Sequence, residues 1–188
     1  MKVYIIRHGE SENNRKKYWS GWYDTVLTEK GEADALGARA VLENKRMDKV
    51  YASDLNRAIS TAKIAIPGCE PQTTSLLREI NVGSLQNTPI DTIPKEERLV
   101  RFADGYTEYG GETRAQLRKR ILTFRKMLEE LECERVAIFS HAGWLCGFLN
   151  EVLGAKISRA DICCSNCAVG VFEFADGKWR LHSWINAD

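Results

Sequence analysis

The sequence predicts a three-layer α/β fold, a mostly parallel sheet with helices on both faces and a short lid inserted at about residues 80–112. Short β-branched and aromatic runs alternate with longer stretches of helical periodicity, the pattern of strands and crossover helices. The first such run, Val3 to Ile6, is apolar throughout, as a strand covered on both faces requires. No internal repeat or low-complexity linker interrupts the 188 residues, so one domain spanning 1–188 is expected.

The elements follow in order. After the first strand, Glu29 to Asn44 carries Ala33, Leu36, Ala40 and Val41 at helical spacing. Lys49 to Ala52 is the next strand, and Ser53 or Asp54 is placed to cap a helix running through Ile66, which Pro67-Gly68 ends. Pro89 to Gly111 lacks clear periodicity and holds Pro94, Gly105 and Gly110, which marks the lid. Thr113 with Gln116 three residues on forms a capping box for a helix to about Glu132. A strand at Arg135–Phe139, a helix at Gly143–Leu153, and a hairpin of Cys167–Phe174 with Lys178–Trp184 around Asp176-Gly177 complete the chain.

Lys and Arg total 27 against 26 Asp and Glu, a net charge of +1. No overall field favours nucleic acid or an acidic membrane, so any anion must be held by a local cluster. The N-terminus lacks the apolar stretch of a signal peptide, and no run approaches the about 18 residues of a membrane span. A cytoplasmic location is expected. The six cysteines are read as reduced thiols, and Cys163, Cys164 and Cys167 have no second ligand pair with zinc-ribbon spacing.

The chemistry-bearing residues stand at strand ends. Arg7-His8-Gly9-Glu10 follows the first strand and Ser140-His141-Ala142-Gly143 follows a later one, and ligands of open α/β sheets bind at that edge. The remaining histidine, His182, lies within a strand and is read as a bystander. Arg57 sits in the first turn of a helix, where free N–H groups and a planar guanidinium suit phosphate oxygens. Read by itself, Arg57 is better taken as a solvated surface arginine, and Glu79 beside Arg78 as a surface ion pair.

Taken together, Arg7-His8-Gly9-Glu10-Ser11 with Asn14, Ser20-Gly21-Trp22-Tyr23-Asp24 with Leu27-Thr28 and Gly31, Ser53 to Ala58 with Thr61-Ala62, Leu77-Arg78-Glu79 with Gly83, and Ser140-His141-Ala142-Gly143 resemble the histidine phosphatase superfamily, the phosphoglycerate-mutase-like proteins. The resemblance implies that His8 takes up a phosphoryl group, that Arg7, Asn14, Arg57 and His141 hold its oxygens, and that Glu79 is the proton donor. Ser20 and Gly21 would touch substrate. It implies no metal or cofactor, and its partner would be a small-molecule phosphate ester, with no nucleic acid and no membrane; the oligomeric state stays open.

The family holds hydrolases and mutases. Ser20 to Asp24 looks like the mutase version of that loop, but Glu79-Ile80-Asn81-Val82-Gly83 lacks the basic and aromatic residues that follow the glutamate in mutases. A short lid leaves water access, and Arg98 and Arg101, which could grip a carboxylate, read as a solvated helix face. Hydrolysis of a phosphomonoester is therefore expected, with mutase-type transfer as the alternative and a non-catalytic phosphate-recognising scaffold as a third reading. Trp19, Trp22, Tyr106 and Tyr109 would set specificity. The chain departs from the family pattern at Val26, Asp34 and Gln86-Asn87, the last costing a glycine in the loop after Glu79.

Overall fold

Among the described residues, six strands pair in the order β3-β2-β4-β1-β5-β6. They are β1 (Lys2–Arg7), β2 (Lys49–Ser53), β3 (Gln72–Thr74), β4 (Arg135–Ser140), β5 (Val169–Ala175) and β6 (Lys178–Ile185), and the helices are α1 (Glu12–Lys16), α2 (Glu29–Leu42), α3 (Asn56–Ala65), α4 (Lys95–Asp104), α5 (Arg114–Glu129) and α6 (Ala142–Leu153). The computed structural model describes residues 1–157 and 161–186, the side chains at 99, 102 and 103 excepted. Strands β1 to β4 are parallel to one another where they pair, while β5 and β6 run antiparallel at one edge. The expected mostly parallel sheet with helices on both faces is what forms. Among the described residues, no helix is long and apolar enough to cross a membrane.

Alternation along the strands creates two cores. Val3 and Ile5 of β1 with Val136 and Ile138 of β4 face Ile121 and Phe124 of α5 and Trp144 and Phe148 of α6. Tyr4 and Ile6 with Ala137 and Phe139 face the other way, toward Ala35, Ala38 and Leu42 of α2 and Ala62 and Ala65 of α3. Successive strand side chains point to opposite faces, so an unbroken apolar run supplies both layers. Each fully buried Ile or Phe contributes roughly 1.5–3 kcal/mol.

Several local expectations are corrected. The buried face of α2 is Gly31, Ala35, Ala38 and Leu42, while Leu36 is exposed; both stripes have helical spacing, and the small one lets α2 pack closely on the alanine face of α3. Neither Ser53 nor Asp54 caps α3: the backbone N–H of Asn56 donates instead to Asp24 Oδ1 at 2.8 Å. Tertiary approach of the 20–24 loop supplies a better acceptor than the local residues. The short β3 and α1 add to the elements that periodicity marks. The capping box at Thr113 forms with Gln116, and the hairpin turns at Asp176 and Gly177, whose φ values of 52° and 69° match the turn that joins twisted strands.

The lid is a packed structure. It contains α4, buries Ile93 and Tyr106, and is tied down by isolated bridges of Tyr18 with Pro89 and Gly105 with Thr113. Asn87, which takes the place of the family's glycine, has φ 60°, a conformation asparagine tolerates better than other side chains. Asn87 therefore fits this turn without a glycine.

Candidate active site

Strand register brings the two strand-end histidines together. Arg7 of β1 pairs with Ser140 of β4 in a parallel ladder, so His8 and His141 leave adjacent strands at the same level. Their ring centroids lie 5.1 Å apart at an interplanar angle of 62°, and the His8 backbone N–H donates to Ser140 O at 3.0 Å. Ser140 is anchored in turn by its hydroxyl, which donates to Leu77 O at 2.7 Å.

The bonds of His8 select its tautomer. Nδ1 lies 2.7 Å from Gly9 O, and a carbonyl can only accept, so Nδ1 carries the proton. Nε2 is left with its lone pair and accepts from Arg57 Nε at 3.3 Å. The ring is held with its unprotonated nitrogen toward the cations.

Arg57 is fully buried, and its remaining nitrogens donate to Tyr23 O at 2.9 Å and Gly21 O at 2.8 Å. These acceptors are neutral, and burial lowers its pKa to about 10. It stays charged at neutral pH, with Glu79 and Asp24 partly offsetting the effect of burial. The surface reading of Arg57 is thereby corrected. His141 is also fully buried, and neither ring nitrogen has a hydrogen-bond partner among the described residues. Burial drives its pKa well below the ordinary imidazole value, and Arg57, His8 and Arg7 push the same way. The ring is therefore neutral at neutral pH.

Arg7 donates from Nη1 to Cys164 O at 2.6 Å. Asn14 sits in a capping box with Ser11 at the start of α1, and its Oδ1 accepts from Ser11 N at 3.2 Å and from Asn166 Nδ2 at 3.3 Å. With the oxygen so occupied, the Asn14 amide nitrogen is the end left for a ligand. Asn166 also donates to His8 O at 3.0 Å. Sequence reasoning misses Asn166, because Cys163 to Cys167 is read for its thiols, and the partners of Asn166, His8 and Asn14, lie about 150 residues away in sequence.

Glu79 belongs to the segment after β3 and is aimed at the first turn of α6. Its Oε2 accepts from Gly143 N at 3.0 Å and its Oε1 from Ile80 N at 2.9 Å. Its carbonyl accepts from Trp22 Nε1 at 2.7 Å and from Arg120 Nη2 at 3.1 Å. Arg120 also donates to Arg78 O and Leu76 O and pairs with Glu112 at 2.8 Å, so one guanidinium holds the whole segment. Arg78 turns away to Asp54 at 2.7 Å, which removes the ion-pair reading of Glu79. Nothing in the local pattern of α5 marks Arg120, most of whose partners lie far off in sequence.

These groups converge on a cavity of about 330 Å³ whose wall includes Arg7, His8, Asn14, Ser20, Gly21, Arg57 and Glu79. His141 is not on that wall but stands against His8. From the 89–111 segment come Tyr106, which packs on Trp19, and Arg98, with Arg114 from the first turn of α5. Arg98 is thus on the cavity and not merely on a solvated helix face, whereas Arg101 pairs with Glu97 and Glu108. His182 pairs with Glu173 on the exposed side of the hairpin. Among the described residues, no group of three or more His, Cys, Asp or Glu side chains gathers where a metal ion could be held.

Comparison with known proteins identifies the family. The family profile described as histidine phosphatase superfamily (branch 1) matches residues 3–187. A protein of Salmonella paratyphi A, described as probable phosphoglycerate mutase GpmB, is 27% identical over 98% of this chain and 90% of its own length. A crystal structure of phosphoglycerate mutase from Thermus thermophilus superposes with a TM-score of 0.77 at 28% identity, covering 100% of both chains. Mycobacterial glucosyl-3-phosphoglycerate phosphatase Rv2419c superposes at 0.83 over 97% of this chain and 98% of its own, and at 24% identity its likeness concerns the fold. With nearly the full length matched and two strand-end histidines in contact at the sheet edge, the chain belongs to the histidine phosphatase superfamily.

Proposed function

We propose that the protein is a phosphomonoester hydrolase that acts on a small phosphorylated metabolite through a phosphohistidine on His8. The observation that carries the reading is the tautomer of His8: Nδ1–H is committed to Gly9 O, and the Nε2 lone pair faces the guanidinium of Arg57. In the first step Nε2 attacks phosphorus and the P–O bond to the alcohol breaks. Glu79, as the acid, gives its proton to the departing alkoxide. In the second, water attacks phosphorus, its proton passes to the Glu79 carboxylate, and the P–N bond breaks to release inorganic phosphate and neutral His8.

Arg7, Asn14, Arg57 and His141 hold the nonbridging oxygens, so that positioning and charge supply most of the rate. His141 reaches the phosphoryl group from its place beside His8, and its ring N–H, unpartnered among the described residues, donates to one of those oxygens. No metal or cofactor enters these steps. Ser20 and Gly21 touch the substrate from the cavity wall, and Gly21 also offers the carbonyl that fixes Arg57.

Mutase-type transfer is the second reading, favoured by Ser20 and Gly21 on the cavity wall and by the phosphoglycerate mutases among the relatives. Hydrolysis is preferred because Ile80 and Val82, which follow the acid, present apolar surface to the cavity where a mutase needs basic groups. Rapid quenching during turnover of a radiolabelled phosphomonoester tests the mechanism. Acid-labile, alkali-stable label on His8 is expected, absent in His8→Ala; label on another side chain would refute it. Isomerisation of phosphoglycerate without phosphate release would favour the mutase.

A further inference from the structure

The peptide that joins His8 to Gly9 is clamped at both ends by side chains from distant elements. Its carbonyl, His8 O, accepts from Asn166 Nδ2 at 3.0 Å, and its N–H, on Gly9, donates to Thr61 Oγ1 at 3.0 Å. Asn166 lies in the turn before β5, where Ala168 N donates to Ser165 O at 3.1 Å, and Thr61 lies on α3, one turn after Arg57. The backbone N–H of Cys167 reaches the same carbonyl at 3.4 Å, a longer bond than that from Asn166. The parallel ladder of β1 with β4 ends at Arg7, so the orientation of this plane falls to groups outside the sheet.

Each clamp has its polarity fixed. Thr61 is fully buried, and its hydroxyl also lies 2.7 Å from Arg57 O. That carbonyl can only accept, so the hydroxyl hydrogen goes to Arg57 and a lone pair is left for the Gly9 N–H. Valine has the same shape and would leave that buried N–H unmet. Asn166 presents its amide nitrogen to two oxygens, His8 O and, at 3.3 Å, Asn14 Oδ1. The plane matters because Gly9 O accepts from His8 Nδ1 at 2.7 Å. Rotating the plane moves Gly9, and with it the acceptor that keeps the ring's other nitrogen bare. Gly9 brings no side chain to brace the turn, and the Gly31 backbone lies where one would go.

Resting on the reading that His8 Nε2 is the nucleophile, we propose that Thr61 and Asn166 are positioning residues for it. By clamping the 8–9 peptide from both ends they hold Gly9 O against His8 Nδ1, which keeps Nε2 unprotonated and facing the cations. Thr61 acts from the helix that carries Arg57, the partner of Nε2, and Asn166 from the turn whose Cys164 O receives Arg7. Nucleophile and phosphate cradle are thereby held in register with one another. Neither residue lies on the cavity wall, so both act through the imidazole.

Nitrogen-15 labelling of histidine reads the ring directly, and with three histidines in the chain the spectrum of His8→Ala identifies its signals. At about pH 8, above the ordinary imidazole pKa, native His8 should show a protonated Nδ1 and a bare Nε2. Thr61→Val and, separately, Asn166→Ala should turn this into a mixture of both tautomers. In the same variants kcat/KM for p-nitrophenyl phosphate should fall about 10–100-fold, the scale of a 1 Å misplacement. The affinity for inorganic phosphate should change less than about threefold, because Arg57 keeps its bonds to Gly21 O and Tyr23 O and Asn14 keeps its bond from Ser11 N. Thr61→Ser, which retains the hydroxyl, should recover most of the rate. If Thr61→Val does not fold, Asn166→Ala decides alone. An unchanged rate, a rate loss with an unchanged ring spectrum, or a loss of phosphate affinity as large as the loss of rate overturns the proposal. If the ring spectrum shifts in the variants but the native protein releases phosphate from no ester, the clamp stands and the nucleophile reading fails.

Discussion

The backbone N–H of Gly143 donates to Glu79 Oε2 at 3.0 Å, and a side chain at position 143 would collide with that carboxylate. The first turn of α6 has free N–H groups, and here one of them fixes the orientation of the proposed acid. Gly143→Ala should therefore push Glu79 aside. Phosphate release from alkyl esters is expected to fall about 10–100-fold, because a 1 Å misplacement costs on that order. An unchanged rate with alkyl esters would show that this contact does not position the acid.

If Glu79 protonates the leaving group, its value depends on how basic that group is. Glu79→Gln should slow alkyl phosphates by about 10²–10³, in the range of general acid catalysis, and aryl phosphates much less, since phenolates leave with little help. Comparing kcat for glycerol 3-phosphate and p-nitrophenyl phosphate in both proteins checks this. Equal losses would assign the proton to another group.

His141 contributes a pH dependence whose sign follows from its surroundings. Burial and the neighbouring arginines lower its pKa well below 6.5, so near and below about pH 6.5 the unfolded chain binds a proton that the folded chain does not. Stability is then penalised as pH falls below the unfolded value and recovers as pH rises through it, with a slope of at most about 1.4 kcal/mol per pH unit from this group. His141→Gln should flatten the change in unfolding free energy between pH 5 and pH 7 in urea titrations. An identical profile in both proteins would contradict it.

Arg120 ties α5 to the segment that carries Glu79 through bonds to Leu76 O, Arg78 O and Glu79 O and through its pair with Glu112. Arg120→Met leaves those acceptors and a mostly buried carboxylate without their partner, and a loss of about 3 kcal/mol in stability is expected. Glu112→Gln, which keeps the bonds to the carbonyls, should cost less. Denaturant midpoints for both variants measure the difference.

Much of the catalytic end was legible in the amino-acid order alone. An apolar run buried on both faces placed β1 and β4, the residues directly after them were His8 and His141, and the Thr113–Gln116 capping box and Asp176-Gly177 turn depend only on neighbours a few positions away. Arg57 at a helix start was legible for the same reason. Other features had no such local signature. Periodicity identified α2 as a helix through Ala33, Leu36, Ala40 and Val41, whereas the buried stripe is Gly31, Ala35, Ala38 and Leu42, because stripes a few residues apart have the same spacing. Composition could not separate Arg98, on the cavity, from Arg101, paired with Glu97 and Glu108.

Asn166, Arg120 and Trp19 acquired their meaning only from surroundings distant in the chain: His8 and Asn14, the Glu79 segment, and a cavity whose walls come from both the sheet edge and the lid. The chain's order fixes backbone preferences and the spacing of apolar residues, both short-range quantities. Where a donor points, and whether anything meets it, is decided only when segments separated by tens of residues pack against one another.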